Sequence, residues 1–139
     1  MPGRVLGVDL GARRVGLALT DPLRMISSPL TTIPMGSEGE LARTIARLCK
    51  EHDVSLVVFG LPLSADGSEG PGCARTRRIA AALSSLDIRT DLQDESWSSR
   101  DAEDILRETG KTRRAAREKV DAIAASLILR DYLSRDSGA

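Results

Sequence analysis

Two short apolar runs open the chain, Val5-Leu6-Gly7-Val8 and Val15-Gly16-Leu17-Ala18-Leu19, a hairpin's reach apart. Strand alternation puts Val5, Gly7 and Asp9 on one face and Arg4, Leu6 and Val8 on the other. Ser27 to Ile33, apolar and β-branched, predicts a third strand. The period then changes: Leu41, Ile45, Ala46, Leu48 and Cys49 form a helical stripe between Glu38 and Glu51. Val54 to Phe59 is almost continuously apolar, the mark of a central parallel strand. Gly60 to Gly72, with four glycines and two prolines, predicts a surface loop. A helix from Cys73 to Ser85 and a fifth strand from Ile88 to Leu92 follow. Another helix begins at Ser98, with Asp101 three residues on as an imperfect capping box. A last helix ends near Leu133, leaving residues 135–139 as a frayed tail.

Three strands in meander, then helix, strand, helix, strand, helix, helix, predict an α/β fold. Its five-stranded mixed sheet has a hairpin-connected antiparallel half and a crossover-connected parallel half. The 139 residues suit a single domain over residues 1–134 and are too few for two lobes with a cleft between them. Neither a signal peptide nor an apolar run of spanning length is present, so a soluble, cytoplasmic protein with no membrane partner is expected.

Charge changes the picture only locally. Twenty basic residues balance twenty acidic ones, so any nucleic-acid binding must come from clustering rather than net charge. The basic residues are mostly arginine, suited to bidentate phosphate contacts, although a base-composition bias would give the same usage. Cys49 and Cys73 are too sparse for a disulfide framework or a zinc site. His52 is the single histidine, at a helix end, and no histidine-based triad can be built on it.

Chemistry enters with Asp9, a carboxylate on a strand face that should be buried. An unpaired buried charge costs several kcal/mol or more, and no basic residue follows on that face. Two other acids stand where they can join it. Glu95, in Gln93-Asp94-Glu95, follows the fifth strand at its C-terminal end. Asp121 borders the last helix's core stripe of Val120, Ile123, Ala124, Leu127 and Ile128. The small Ala124 and Ala125 one turn along, and Gly7 on the strand, allow that helix a close approach. Asp9, Glu95 and Asp121 can thus converge at the C-terminal ends of the parallel strands, where open sheets place their sites. Converging carboxylates without His or Cys select Mg²⁺ or Mn²⁺, and such ions support phosphodiester hydrolysis. Taken singly, each acid has a bland reading: a turn residue for Asp9, a solvated loop residue for Glu95, a helix-surface charge for Asp121. Arg13, Arg14, Arg75, Arg78, Arg113, Arg114 and Arg117 are candidate phosphate contacts, against the ordinary reading of a solvated charged face. Three aromatic residues, Phe59, Trp97 and Tyr132, leave little room for base stacking.

Four blocks carry a resemblance to a known family: Gly7-Val8-Asp9-Leu10-Gly11-Ala12-Arg13-Arg14-Val15-Gly16; Val58-Phe59-Gly60-Leu61-Pro62-Leu63 with Asp66-Gly67 and Gly70-Pro71; Asp94-Glu95; and Lys119-Val120-Asp121-Ala122-Ile123-Ala124-Ala125. Over nearly its whole length the chain resembles the YqgF family, also called RuvX, of ribonuclease H-like pre-16S rRNA nucleases and Holliday-junction resolvases. The resemblance implies a ribonuclease H-like fold and divalent-metal nuclease chemistry, with Asp9, Glu95 and Asp121 matching the family's acidic triad; Asp94, beside Glu95, is read as an auxiliary ligand. It implies cytoplasmic work on 16S rRNA 5′-end maturation, with branched-DNA cleavage as the alternative. The implied partners are precursor rRNA or branched DNA and ribosomal particles, met as a monomer or a homodimer. Ser96, Ser98 and Ser99 depart from the family pattern, which has Arg and then threonines there. Two rival readings remain. One is a fragment of an actin-like ATPase, which the chain length disfavours; the other is a non-catalytic nucleic-acid-binding module.

Overall fold

A computed structural model of the chain describes residues 3–62, 69–95 and 113–137. Strand β1 (Arg4–Leu10) is the centre of a five-stranded sheet. It pairs antiparallel with β2 (Arg14–Thr20) and parallel with β4 (Val54–Pro62). Strand β3 (Ser27–Pro34) lies antiparallel beside β2, and β5 (Thr90–Glu95) parallel beside β4, giving the order β3-β2-β1-β4-β5. Helices α1 (Glu38–Glu51), α2 (Pro71–Ser84) and α3 (Arg113–Ser137) cover the sheet. The mixed sheet is the one expected from the strand and helix order. Among the described residues no helix is long and apolar enough to cross a membrane.

Alternation along β1 divides the core in two. Leu6 and Val8 point to the side of α1 and α2, where they bury with Leu17, Val57 and Phe59 against Leu41, Ile45, Ile79 and Leu83. Each such fully buried side chain stabilises the fold by roughly 1.5–3 kcal/mol. Helix α1 starts where Ser37 caps it, its hydroxyl accepting the Glu40 N–H, with Glu38 and Glu40 suitably placed at the positive end of the helix dipole. On the other side Val5, Ala18 and Val58 pack with Ala125, Ile128 and Leu129 of α3. Glycines let this helix lie close. A Cβ at Gly7 would come within 2.9 Å of the Ala125 carbonyl oxygen, and one at Gly60 would strike the Ile128 side chain.

Several boundaries differ from the sequence expectation. Strand β4 continues to Pro62 and α2 begins at Pro71, which shortens the loop expected from Gly60 to Gly72. Strand β5 spans Thr90–Glu95 rather than Ile88 to Leu92. The chain after α2 first folds back on that helix, with the Ile88 N–H bound to the Leu83 carbonyl, and parallel pairing then runs from Val57↔Thr90 to Pro62↔Glu95. Asp94 and Glu95 are therefore inside the strand, not beyond it. Helix α3 reaches Ser137, past the end expected near Leu133, so residues 135–137, expected to fray, are helical. Tyr132 donates to Asp91 Oδ2 at 2.7 Å, and Arg135 reaches the same carboxylate and the Leu92 carbonyl. These contacts tie the helix end to the open edge of β5. The helix expected from Ser98, with Ser96, Trp97, Ser99 and Asp101, lies outside the described residues, as do Leu63, Asp66, Gly67 and Lys111.

Candidate active site

Asp9 is the second-last residue of β1 and shares the α3-facing side with Val5 and Gly7. Its partner across the hairpin is Gly16. A Cβ on Gly16 would collide with the backbone carbonyl of Asp121 and the Ala122 nitrogen. Helix α3 thus rests on the hairpin backbone where a side chain is missing, and this contact brings Asp121 beside Asp9. No local signal in the chain announced Gly16 as a docking point, although a glycine within a strand marks close approach in general.

Burial first, and the negative charge of Asp121 second, push the Asp9 carboxyl up to about 6. No described residue donates a hydrogen bond to Asp9. Asp121 is differently served: Arg14 Nε donates to its Oδ2 at 2.7 Å, with the Arg14 side chain 41% exposed and that of Asp121 18%. The guanidinium thus serves Asp121, and the causes of the Asp9 shift include a carboxylate but no cation. Negative charge is left over in a half-buried place, and oxygen donors of this kind fit a hard divalent cation such as Mg²⁺ or Mn²⁺.

Glu95 closes β5 and is 7% exposed. Register places it on the same face: Val58 packs on α3, Gly60 pairs with Gln93, and Pro62 pairs with Glu95. Strand β4 stands between β1 and β5, and the pairing sets Asp9 level with Gly60 but Glu95 level with Pro62, so the two acids are two strand spacings and two residues apart, roughly 11–12 Å between backbones. Among the described residues no three His, Cys, Asp or Glu side chains gather closely enough to hold a metal ion. The convergence expected of three acids is built as a close pair, Asp9 and Asp121, with Glu95 set apart on their face. Asp94 does not join them. Alternation turns it to the opposite face, where its charge acts on Arg77 of α2, so the auxiliary role expected for it has no geometric basis here.

The arginines expected to meet phosphate have several occupations. Arg13 is exposed in the β1–β2 turn. Arg78 is bound to Glu38 of α1 through two hydrogen bonds, 3.0 and 2.8 Å. Arg113, Arg114 and Arg117 fall in the first turns of α3, and their side chains lie outside the described set. Arg75 reaches from α2 to the turn after Asp9, its NH2 group donating to the carbonyls of Gly11 at 3.0 Å and Leu10 at 3.4 Å. It is a clamp on the hairpin rather than a free cation. Arg75→Ala is expected to cost about 2 kcal/mol, read as a fall in the denaturation midpoint, with Arg75→Lys losing less. Cys73, in the first turn of α2, is a free cysteine, buried, and donates from Sγ to the Pro62 carbonyl. Cys49 is a core residue, as its position in the stripe of α1 predicts.

Comparison with known proteins agrees with this architecture. A family profile described as RuvX, Holliday junction resolvase, matches residues 3–135. A relative from Chloroflexus aggregans named "Putative pre-16S rRNA nuclease" is 42% identical over 130 residues, covering 93% of this chain and 92% of its own. One of the same name from Anaeromyxobacter sp. (strain K) is 41% identical over 133 residues, covering 95% and 97%. In shape the chain is similar to Thermus thermophilus RuvC in complex with a Holliday junction substrate, with a TM-score of 0.57 at 10% identity and 96% of both chains covered. The fold is ribonuclease H-like.

Proposed function

The chain belongs to the YqgF/RuvX family, and from that premise we propose that it is a divalent-metal-dependent nuclease hydrolysing phosphodiester bonds in precursor 16S rRNA. The observation that carries this reading is the Asp9–Asp121 pair, in which a half-buried carboxylate, given no hydrogen bond by any described residue, lies beside a second one. A Mg²⁺ or Mn²⁺ ion held there would activate water and stabilise the leaving oxygen. Asp9 offers an acceptor from a rigid central strand, and Asp121 one from a helix seated on that strand's hairpin. Glu95, buried on the same face, is the third acid of the proposal and approaches from β5. Arg13 and Arg14 flank the pair and meet the phosphate backbone by charge and by their planar donor groups. The names of the 42% and 41% identical relatives support precursor 16S rRNA as substrate; ribosomal particles would be the partners and the cytoplasm the place of work.

A second reading, cleavage of branched DNA, is favoured by the family profile's own description. It carries a demand of its own, because symmetric cutting of a junction calls for two copies of the chain related by a two-fold axis. The two readings separate in a cleavage panel of precursor 16S rRNA, a four-way junction and a flap, each with Mg²⁺, Mn²⁺ or EDTA. Cleavage of the RNA at its 5′ region, dependent on metal and reached by a monomer, is expected. Preference for the junction by a dimer would favour the second reading. Binding that survives EDTA with no cleavage of any substrate would leave only a non-catalytic module.

A further inference from the structure

Arg14 is the cation already present at the acidic pair, and the manner of its attachment is informative. Two other arginines grip a carboxylate through two bonds each: Arg77 to Glu69 at 2.9 and 2.7 Å, and Arg78 to Glu38 at 3.0 and 2.8 Å. Arg14 makes one, from Nε to Asp121 Oδ2. Its two terminal nitrogens bond to no described residue, and the side chain is 41% exposed. Asp121, in contrast, is held by its backbone. Its carbonyl lies directly over Gly16, so this turn of α3 is seated on the hairpin by backbone approach and not by the Arg14 bond. Arg14 can therefore leave without unseating that turn of α3.

We propose that Arg14 and the divalent cation are alternative partners of Asp121, so that loading the site releases the guanidinium for the scissile strand's phosphate. The inference rests on the metal-dependent reading above. Two carboxylates balance one guanidinium with one negative charge to spare. A dication entering beside a retained guanidinium would bring like charges to within a few ångströms, where they repel strongly in a half-buried place. Exchange removes that repulsion. It also frees the Nε donor, so that the whole guanidinium can turn toward a phosphate at the moment the site can cut. Substrate phosphate would then be gripped preferentially by metal-loaded protein, which orders the two binding events.

The test is a Mg²⁺ titration of the ¹⁵N-labelled full chain, following the arginine Nε–H resonances, with Arg14 assigned by its loss in R14Q and loading followed at the Ala122 amide. Without metal, the Arg14 Nε–H should exchange slowly with water; at saturation its exchange should quicken about tenfold or more. Mn²⁺ binding by calorimetry should be about fivefold tighter in R14Q than in the wild type, because no ion pair is then given up. An Arg14 Nε–H that stays protected at saturating Mg²⁺, or R14Q that folds and binds Mn²⁺ no more tightly, would overturn the exchange while leaving the metal site standing. Absence of any Mn²⁺ binding by the wild type would overturn the metal reading itself and the exchange with it. Should R14Q fail to fold, the wild-type titration decides alone, with Arg14 assigned through sequential side-chain correlations.

Discussion

Asp9→Asn is expected to lower metal-dependent cleavage on the order of a thousandfold and, in the same protein, to stabilise the metal-free fold at neutral pH. The first effect follows from removing the charge of the oxygen donor on the central strand, around which transition-state stabilisation by a metal would be organised. The second follows from its titration. Burial and then Asp121 raise the carboxyl from an ordinary 3.8 to about 6, so the folded state holds this proton more firmly than the unfolded chain does. Below about 3.8 both states are protonated and the group contributes nothing. As pH rises through the window from 3.8 to 6 the unfolded chain releases its proton first, and stability falls. Above 6 the loss is complete, on the order of 2–3 kcal/mol. Denaturation in EDTA at pH 4 and pH 7 should therefore show Asp9→Asn close to wild type at the lower pH and more stable at the higher. Saturating Mn²⁺ should raise the wild type and leave the variant where it was. Full Mn²⁺-dependent cleavage by a folded Asp9→Asn would remove Asp9 from the chemistry.

Gly16→Ala is expected to be the most damaging single-methyl change in the sheet. The added carbon would overlap the Asp121 carbonyl and crowd the Ala122 nitrogen, and these are backbone atoms that no rotamer change can move aside. Either α3 lifts from the hairpin or the hairpin bends. A cost of about 3 kcal/mol is expected, at the upper end of ordinary overpacking, together with loss of cleavage as Asp121 moves away from Asp9. Gly39→Ala is the matched control. Gly39 is exposed in α1, and a Cβ there would meet only the end of the Arg43 side chain at 3.7 Å. Replacing a helical glycine should then stabilise by roughly 0.5–1 kcal/mol. Thermal or urea unfolding of the two variants, beside cleavage assays, separates these outcomes; a Gly16→Ala protein as stable as the Gly39→Ala protein would mean that α3 is not seated on the hairpin.

Order and kind of the elements were legible in the chain because their signals are local. Alternation marks β1 and β2, an apolar run marks β4, and a 3.6-residue stripe marks α1, whose expected bounds at Glu38 and Glu51 are those observed. Asp9, too, was visible by itself, as a charge on a face that had to be buried. What tertiary structure decided is which groups meet. Asp94 and Glu95 are neighbours in the chain, yet the pairing of β5 with β4 sends them to opposite faces and leaves only Glu95 with Asp9. Arg14 and Asp121 are 107 residues apart, and the bare backbone of Gly16 under α3 makes their contact possible. Arg75 and Arg78 looked like free cations along α2 until α1 and the hairpin supplied their acceptors. Hydrophobic periodicity tells each segment which side to bury; it carries no information about register between segments, and register is where the charges of this molecule find their partners.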